Sequence, residues 1–129
     1  MNDAVFYSLD EKLCLIEHEA VALDRAREIF DQYYSRLKPH YDSGETALAE
    51  TMFGFSRSED EFLELCLHKY DSISCKICLP PPYARGFMRF FAGALNREET
   101  LSSRDAAMER LRQFFALSRD ELREVLEAM

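Results

Sequence analysis

The chain has no tryptophan and only four glycines and four prolines in 129 residues. So few turn formers predict few, short connections. Gly44, Gly54, Gly86 and Gly93 are scattered, so no glycine-rich phosphate loop is available, and neither Gly-x-Ser-x-Gly nor His-Glu-x-x-His occurs. No catalytic residue can be nominated, and nothing calls for a cofactor. No apolar run approaches the roughly 18 residues that a membrane-crossing helix needs, so no membrane partner is expected. The opening stretch MNDAVFYSLDEK lacks a basic start followed by an apolar segment. No secretory signal is therefore expected, and the four cysteines read as reduced thiols of a cytoplasmic protein. Bases are also scarce: 16 Lys and Arg stand against 24 Asp and Glu, a net charge of −8. A nucleic-acid binder normally shows a basic face, so nucleic acid is not an expected partner.

What is present is apolar. The chain is 47% hydrophobic with ten Phe and six Tyr, enough for one folded domain spanning 1–129 with its own core. The acids crowd into the first half. Residues 1–64 hold 15 acids and 6 bases, residues 65–129 hold 9 and 10. A basic protein surface is the partner such a distribution suits.

SLDEKLCLIEHEAVALDRAREIFDQYYSRLKPHYD carries the strongest local pattern. Ser8 with Glu11 has the spacing of a capping box. Leu9, Leu13, Ile16, Ala20, Leu23, Phe30, Tyr34 and Leu37 recur in steps of three and four, broken at Arg27, until Pro39. The spacing predicts one helix of about 45 Å. That exceeds the width of a domain this size, so the helix offers a seam for a homodimer. Residues 45–52 suit a short helix, and MFGFS an edge strand to follow it.

In FLELCLHKYDSISCKICLPPPY, Leu63, Leu65 and Leu67 alternate with polar residues, as do Ile73, Cys75, Ile77 and Leu79. Folded about Lys69, Tyr70 and Asp71, they set Leu67 against Ile73, Leu65 against Cys75 and Leu63 against Ile77, with His68 facing Ser72. Glu64 and Lys76 then meet on the other face. A helix over 58–70, opened by Ser58 and Glu61, is the competing reading. RGFMRFFAGAL at 85–95 suits a further strand or a helix. SSRDAAMERLRQFFAL, capped by Ser102 or Ser103, and SRDELREVLEAM, with a Ser118–Glu121 box, predict two C-terminal helices. The fold class is α+β: the long N-terminal helix and the C-terminal helices packed on a small antiparallel sheet. An all-α bundle is the alternative if 58–70 and 84–95 are both helical.

Cys66, His68, Cys75 and Cys78 supply metal-ligand types. Residues three apart on a strand point to opposite faces, however, so Cys75 and Cys78 cannot share a metal. A redox Cys-x-x-Cys needs a helix N-terminus, whereas prolines follow here. Cys14 and His18, four apart on the expected helix, read as a thiol and a solvated imidazole. PPPY at 80–83 matches a short polyproline ligand motif, but four residues are a weak pattern and the prolines read as ending a strand and stiffening its connection. No metal site is assigned. Glu59, Asp60 and Glu61, with Glu64 following, form the densest acidic turn and are the candidate partner-binding residues.

The hairpin DEFLELCLHKYDSISCKICL followed by LSSRDAAMERLRQFF resembles the small acidic bacterial immunity proteins that neutralise a toxin domain. The resemblance implies a stoichiometric inhibitor whose acidic face covers a basic toxin surface. A dimeric secretion-chaperone-like protein and an enzyme of another kind are the rival readings.

Overall fold

The first forty residues depart most from expectation. In the computed structural model, which describes residues 3–10, 12, 14–43, 52–69, 72–80 and 95–128, no helix begins at Ser8. Strands β1 (Ala4–Leu9) and β2 (Leu15–Val21) form an antiparallel hairpin there, and helix α1 starts only at Leu23 and runs to Ser43. Asp10 decides the outcome locally. Its Oδ1 accepts the amides of Lys12 and Cys14 at 2.8 and 2.9 Å, which closes a turn instead of opening a helix. Ser8 is a buried strand residue, and the helix continues through Pro39 to Ser43.

Four more strands follow: β3 (Met52–Ser58), β4 (Glu61–Lys69), β5 (Ser72–Leu79) and β6 (Leu95–Leu101). Helices α2 (Arg104–Ala116) and α3 (Arg119–Glu127) end the chain. Among the described residues the strands form one antiparallel sheet of order β2-β1-β3-β4-β5-β6. The expected fold class is therefore corrected: a six-stranded sheet with three shorter helices replaces the long N-terminal helix on a small sheet, and also the all-α alternative. β3 is interior, between β1 and β4, not an edge. The short helix expected at 45–52 and the strand or helix at 85–95 fall almost wholly outside the described residues.

The central hairpin has the expected register. Leu63 faces Ile77, Leu65 faces Cys75, Leu67 faces Ile73 and Glu64 faces Lys76. Only the tip differs: Lys69, not His68, faces Ser72, and His68 Nε2 is hydrogen-bonded to Ser74 Oγ at 2.7 Å.

One face of the sheet carries the core. Phe53 and Phe55 of β3, the three leucines of β4, and Ile73, Cys75, Ile77 and Leu79 of β5 are all buried. They meet Ala26, Ile29, Phe30 and Tyr33 of α1, Ala107, Leu111, Phe114 and Phe115 of α2, and Leu122 and Leu126 of α3 in one cluster. Of the stripe that offered a dimer seam, Phe30 is buried in this core, and Leu23 and Tyr34 are partly buried against it. The caps of the last two helices form as expected. Ser103 Oγ accepts the Ala106 amide at 3.1 Å, and Ser118 and Glu121 make a reciprocal capping box. With all three helices on one side, the other face of the sheet carries no described helix.

Candidate functional site

The helix-free face is built by register. Glu17 of β2 faces Tyr7 of β1, Tyr7 faces Gly54 of β3, and Gly54 faces Glu64 of β4. Glu64 faces Lys76, and Lys76 faces Glu98 of β6. One polar row thus crosses all six strands. A parallel row runs through Val5, Ser56, Phe62, Cys78 and Asn96.

Tyr7 shapes the row. Its side chain crosses above Gly54, and its phenol donates to Glu64 Oε1 at 3.1 Å. The crossing requires glycine. A Cβ at Gly54 would stand 2.3 Å from both Cζ and the hydroxyl of Tyr7, and 2.7 Å from the Leu63 carbonyl oxygen. Although on the helix-free face, Tyr7 is only 6% exposed. Burial first, and the neighbouring Glu64 carboxylate second, push its ionisation far above the ordinary phenol range. Tyr7 therefore remains a neutral donor that holds one oxygen of Glu64.

Gly54→Ala is expected to force the Tyr7 ring off Glu64. The overpacking should cost about 1–3 kcal/mol. A lower thermal midpoint, with Tyr7 fluorescence or ring NMR shifts changed, checks it. A Gly54→Ala protein with an unaltered Tyr7 environment would show that the ring does not need this gap.

Beside this row lies a groove of about 530 Å³ lined by Val5, Tyr7, Leu15, Glu17, Phe62, Glu59 and Glu64, with Ser56, Arg57 and Ser58. Val5, Tyr7, Leu15 and Phe62 give it apolar and aromatic surface among polar residues, and its charge is dominated by three carboxylates. Arg57, the one base in the lining, is engaged elsewhere. It donates to the Phe114 carbonyl at 2.9 Å, lies 4.3 Å from the Phe114 ring centroid, and pairs with Glu61 at 3.6 Å. Burial lowers its ionisation, which Glu61 partly offsets.

The four nominated acids separate. Glu59 and Asp60 are exposed in the turn between β3 and β4, where Ser58 Oγ donates to Asp60 Oδ1 at 2.7 Å. Glu61 is 4% exposed and pairs with Arg57 and, at 2.6 Å, with Arg119. Its charge ties the start of β4 to the start of α3, so it is not presented to a partner, and Ser58–Glu61 opens no helix. Glu64 lies in the groove. The residues the sequence did not single out are Tyr7 and Glu17, which reach the site only through the pairing of β1 with β2 and β3, and Phe62, which the β3–β4 hairpin sets beside Ser56. Gly54, set between the core residues Phe53 and Phe55, was the one local sign that something crosses there.

The sulfur and imidazole groups do not converge. Cys75 is buried on the core face, where burial pushes its thiol up to about 12, while Cys78 sits across the sheet beside Phe62. Burial also raises Cys78, against the nearby Lys76. Among the described residues no group of three or more His, Cys, Asp or Glu is placed to hold a metal ion. Cys14 and His18 are not on a helix. His18 stacks on Phe6 at 4.7 Å, and its Nε2 is hydrogen-bonded to Ser8 Oγ at 2.7 Å. That Ser–His contact, like the one between Ser74 and His68, sets a hydroxyl beside an imidazole. No described carboxylate orients the second ring nitrogen, so the arrangement lacks the third member that such catalysis uses.

Among the described residues no helix is long and apolar enough to cross a membrane. No protein-family model, curated protein or solved structure matches the chain.

Proposed function

We propose that the protein is a non-catalytic binding module whose helix-free sheet face docks another protein with a basic surface, in the manner of an immunity-type inhibitor covering a toxin or effector domain. One observation carries the reading: a groove in which Val5, Tyr7, Leu15 and Phe62 stand together with Glu17, Glu59 and Glu64, and whose single arginine is engaged with Phe114 and Glu61. Such a surface attracts a Lys or Arg side chain and rewards the apolar stem behind its charge. Tyr7 adds preorganisation, because a carboxylate held by a buried phenol loses less freedom on binding.

The secretion-chaperone-like alternative differs in the form of its partner, an extended client. It is favoured by a helix between strands, α1 after β2, and by the exposed edge of the sheet at β2.

The test is kinetic. The native partner is captured on the immobilised protein, and its association is followed across a salt series. Glu17→Lys with Glu59→Lys alters two exposed positions and is expected to leave the fold intact. Association should slow by about tenfold at low salt, with dissociation changing less, and added salt should slow the unmodified protein similarly. Association equally fast at low and high salt, and indifferent to both reversals, would remove the acidic groove from the interaction.

A further inference from the structure

The two edges of the sheet are unlike. At the β6 edge, Arg97 donates to the Leu126 carbonyl of α3, and Glu99 pairs with Arg110 of α2, so helices tie that strand down. At the β2 edge, every residue from Leu15 to Ala20 is exposed. Leu15 and Ile16, at 63% and 40%, are the exposed large hydrophobic residues of the described chain. An edge strand carries backbone donors and acceptors able to pair with a further strand, and natural edges are usually short, charged or covered. This one is seven residues long and uncovered among the described residues.

Its charges select the occupant. If a second copy paired antiparallel with β2, a twofold axis at Glu17 would set Glu17 against Glu17. An axis at His18 would set Glu17 against Glu19, and one at Glu19 would set Glu19 against itself. Each of these registers opposes two carboxylates, which destabilises the pairing. The same two acids favour an incoming strand with Lys or Arg at alternate positions. Leu15 and Glu17 also line the acidic groove, so the edge and the groove form one continuous surface.

We infer that β2 receives an extended, basic segment of the partner as a seventh strand of the sheet, with a cationic side chain of that segment set beside Glu17 at the mouth of the groove. The inference rests on the acidic docking surface proposed above and adds the form in which the partner presents its charge. The main chain of β2 supplies the hydrogen bonds, and Leu15 and Ile16 supply apolar contact.

The probe is a seven-residue peptide of alternating lysine and valine, compared with the same peptide N-methylated on every second residue, in the two possible phases. Amide hydrogen exchange and chemical shifts of the full-length protein are followed by NMR during titration. The parent peptide is expected to bind, to slow exchange of edge-facing amides within residues 15–20 by about tenfold or more, and to lose affinity when N-methylated in one phase only. Glu17→Lys with Glu19→Lys, at exposed positions, should weaken it by about tenfold at unchanged thermal midpoint. Binding that ignores N-methylation in both phases and shifts only Tyr7, Phe62 and Glu64 would overturn strand addition while leaving the groove reading intact. Absence of binding up to millimolar peptide would overturn the inference, and protection of 15–20 by concentration-dependent self-association would assign the edge to a second copy instead. A failure of the groove reading has a separate mark, salt-independent association of the native partner.

Discussion

Leu65→Asp should leave no folded protein at room temperature. Leu65 is fully buried, flanked in register by Phe53 on β3 and Cys75 on β5. Removing a buried leucine already costs about 2–5 kcal/mol. The new carboxyl has no described polar partner on that face, and burying it charged or neutral adds several kcal/mol more. A domain whose total stability is of the order of 5–15 kcal/mol has little margin for such a change. Its neighbour provides the contrast. Glu64→Gln retains an acceptor for the Tyr7 phenol and should cost less than about 1 kcal/mol. Circular dichroism melts of the two variants check the pair. A folded, cooperative Leu65→Asp protein would mean that odd-numbered residues of β4 do not face the core.

Phe53→Ala carries the second large effect. Phe53 is fully buried, with its ring centroid 4.3 Å from Tyr33, 6.1 Å from Phe30 and 6.0 Å from Phe55. It joins α1 to the centre of the sheet, so truncation opens a cavity between two layers that cannot both relax into it. The expected loss is about 3–5 kcal/mol, read as a fall in the denaturant midpoint at unchanged slope. A loss below about 1 kcal/mol would contradict the packing of α1 over β3.

These two sites mark how far the sequence was legible. The β4–β5 hairpin could be read residue by residue because both strands are interior and half-buried, so side-chain alternation survives in the sequence. The last two helices were legible through Ser103, Ser118 and Glu121, whose local hydrogen bonds form as their spacing requires. The N-terminal hairpin was not legible, for a physical reason. As an edge strand exposed through Ala20, β2 shows no alternation of buried and exposed residues. The apolar residues from Leu9 to Ala20 happen to sit at helical intervals, in phase with those at the start of α1. Ser8 then reads as a cap, while the deciding contacts, Asp10 with two amides and β1 with β3, are a turn and a long-range pairing. Tertiary pairing overrides local propensity there. The site inherits the same limit. Glu59 and Glu64 were readable as acids, and Glu61 was readable only as an acid, not as the buried partner of two arginines. Tyr7 and Glu17 join them solely because β1 lies between β2 and β3.

The central claim is that the protein works through the face of the sheet opposite its helices. Hydrogen–deuterium exchange on the complex with its captured native partner tests that claim most directly. The account predicts slowed exchange in β1, β2, β3 and the first half of β4, including residues 5–9, 15–20 and 52–64, with α2 and α3 unchanged. Protection concentrated on α2 and α3, with those strands exchanging as in the free protein, would contradict it.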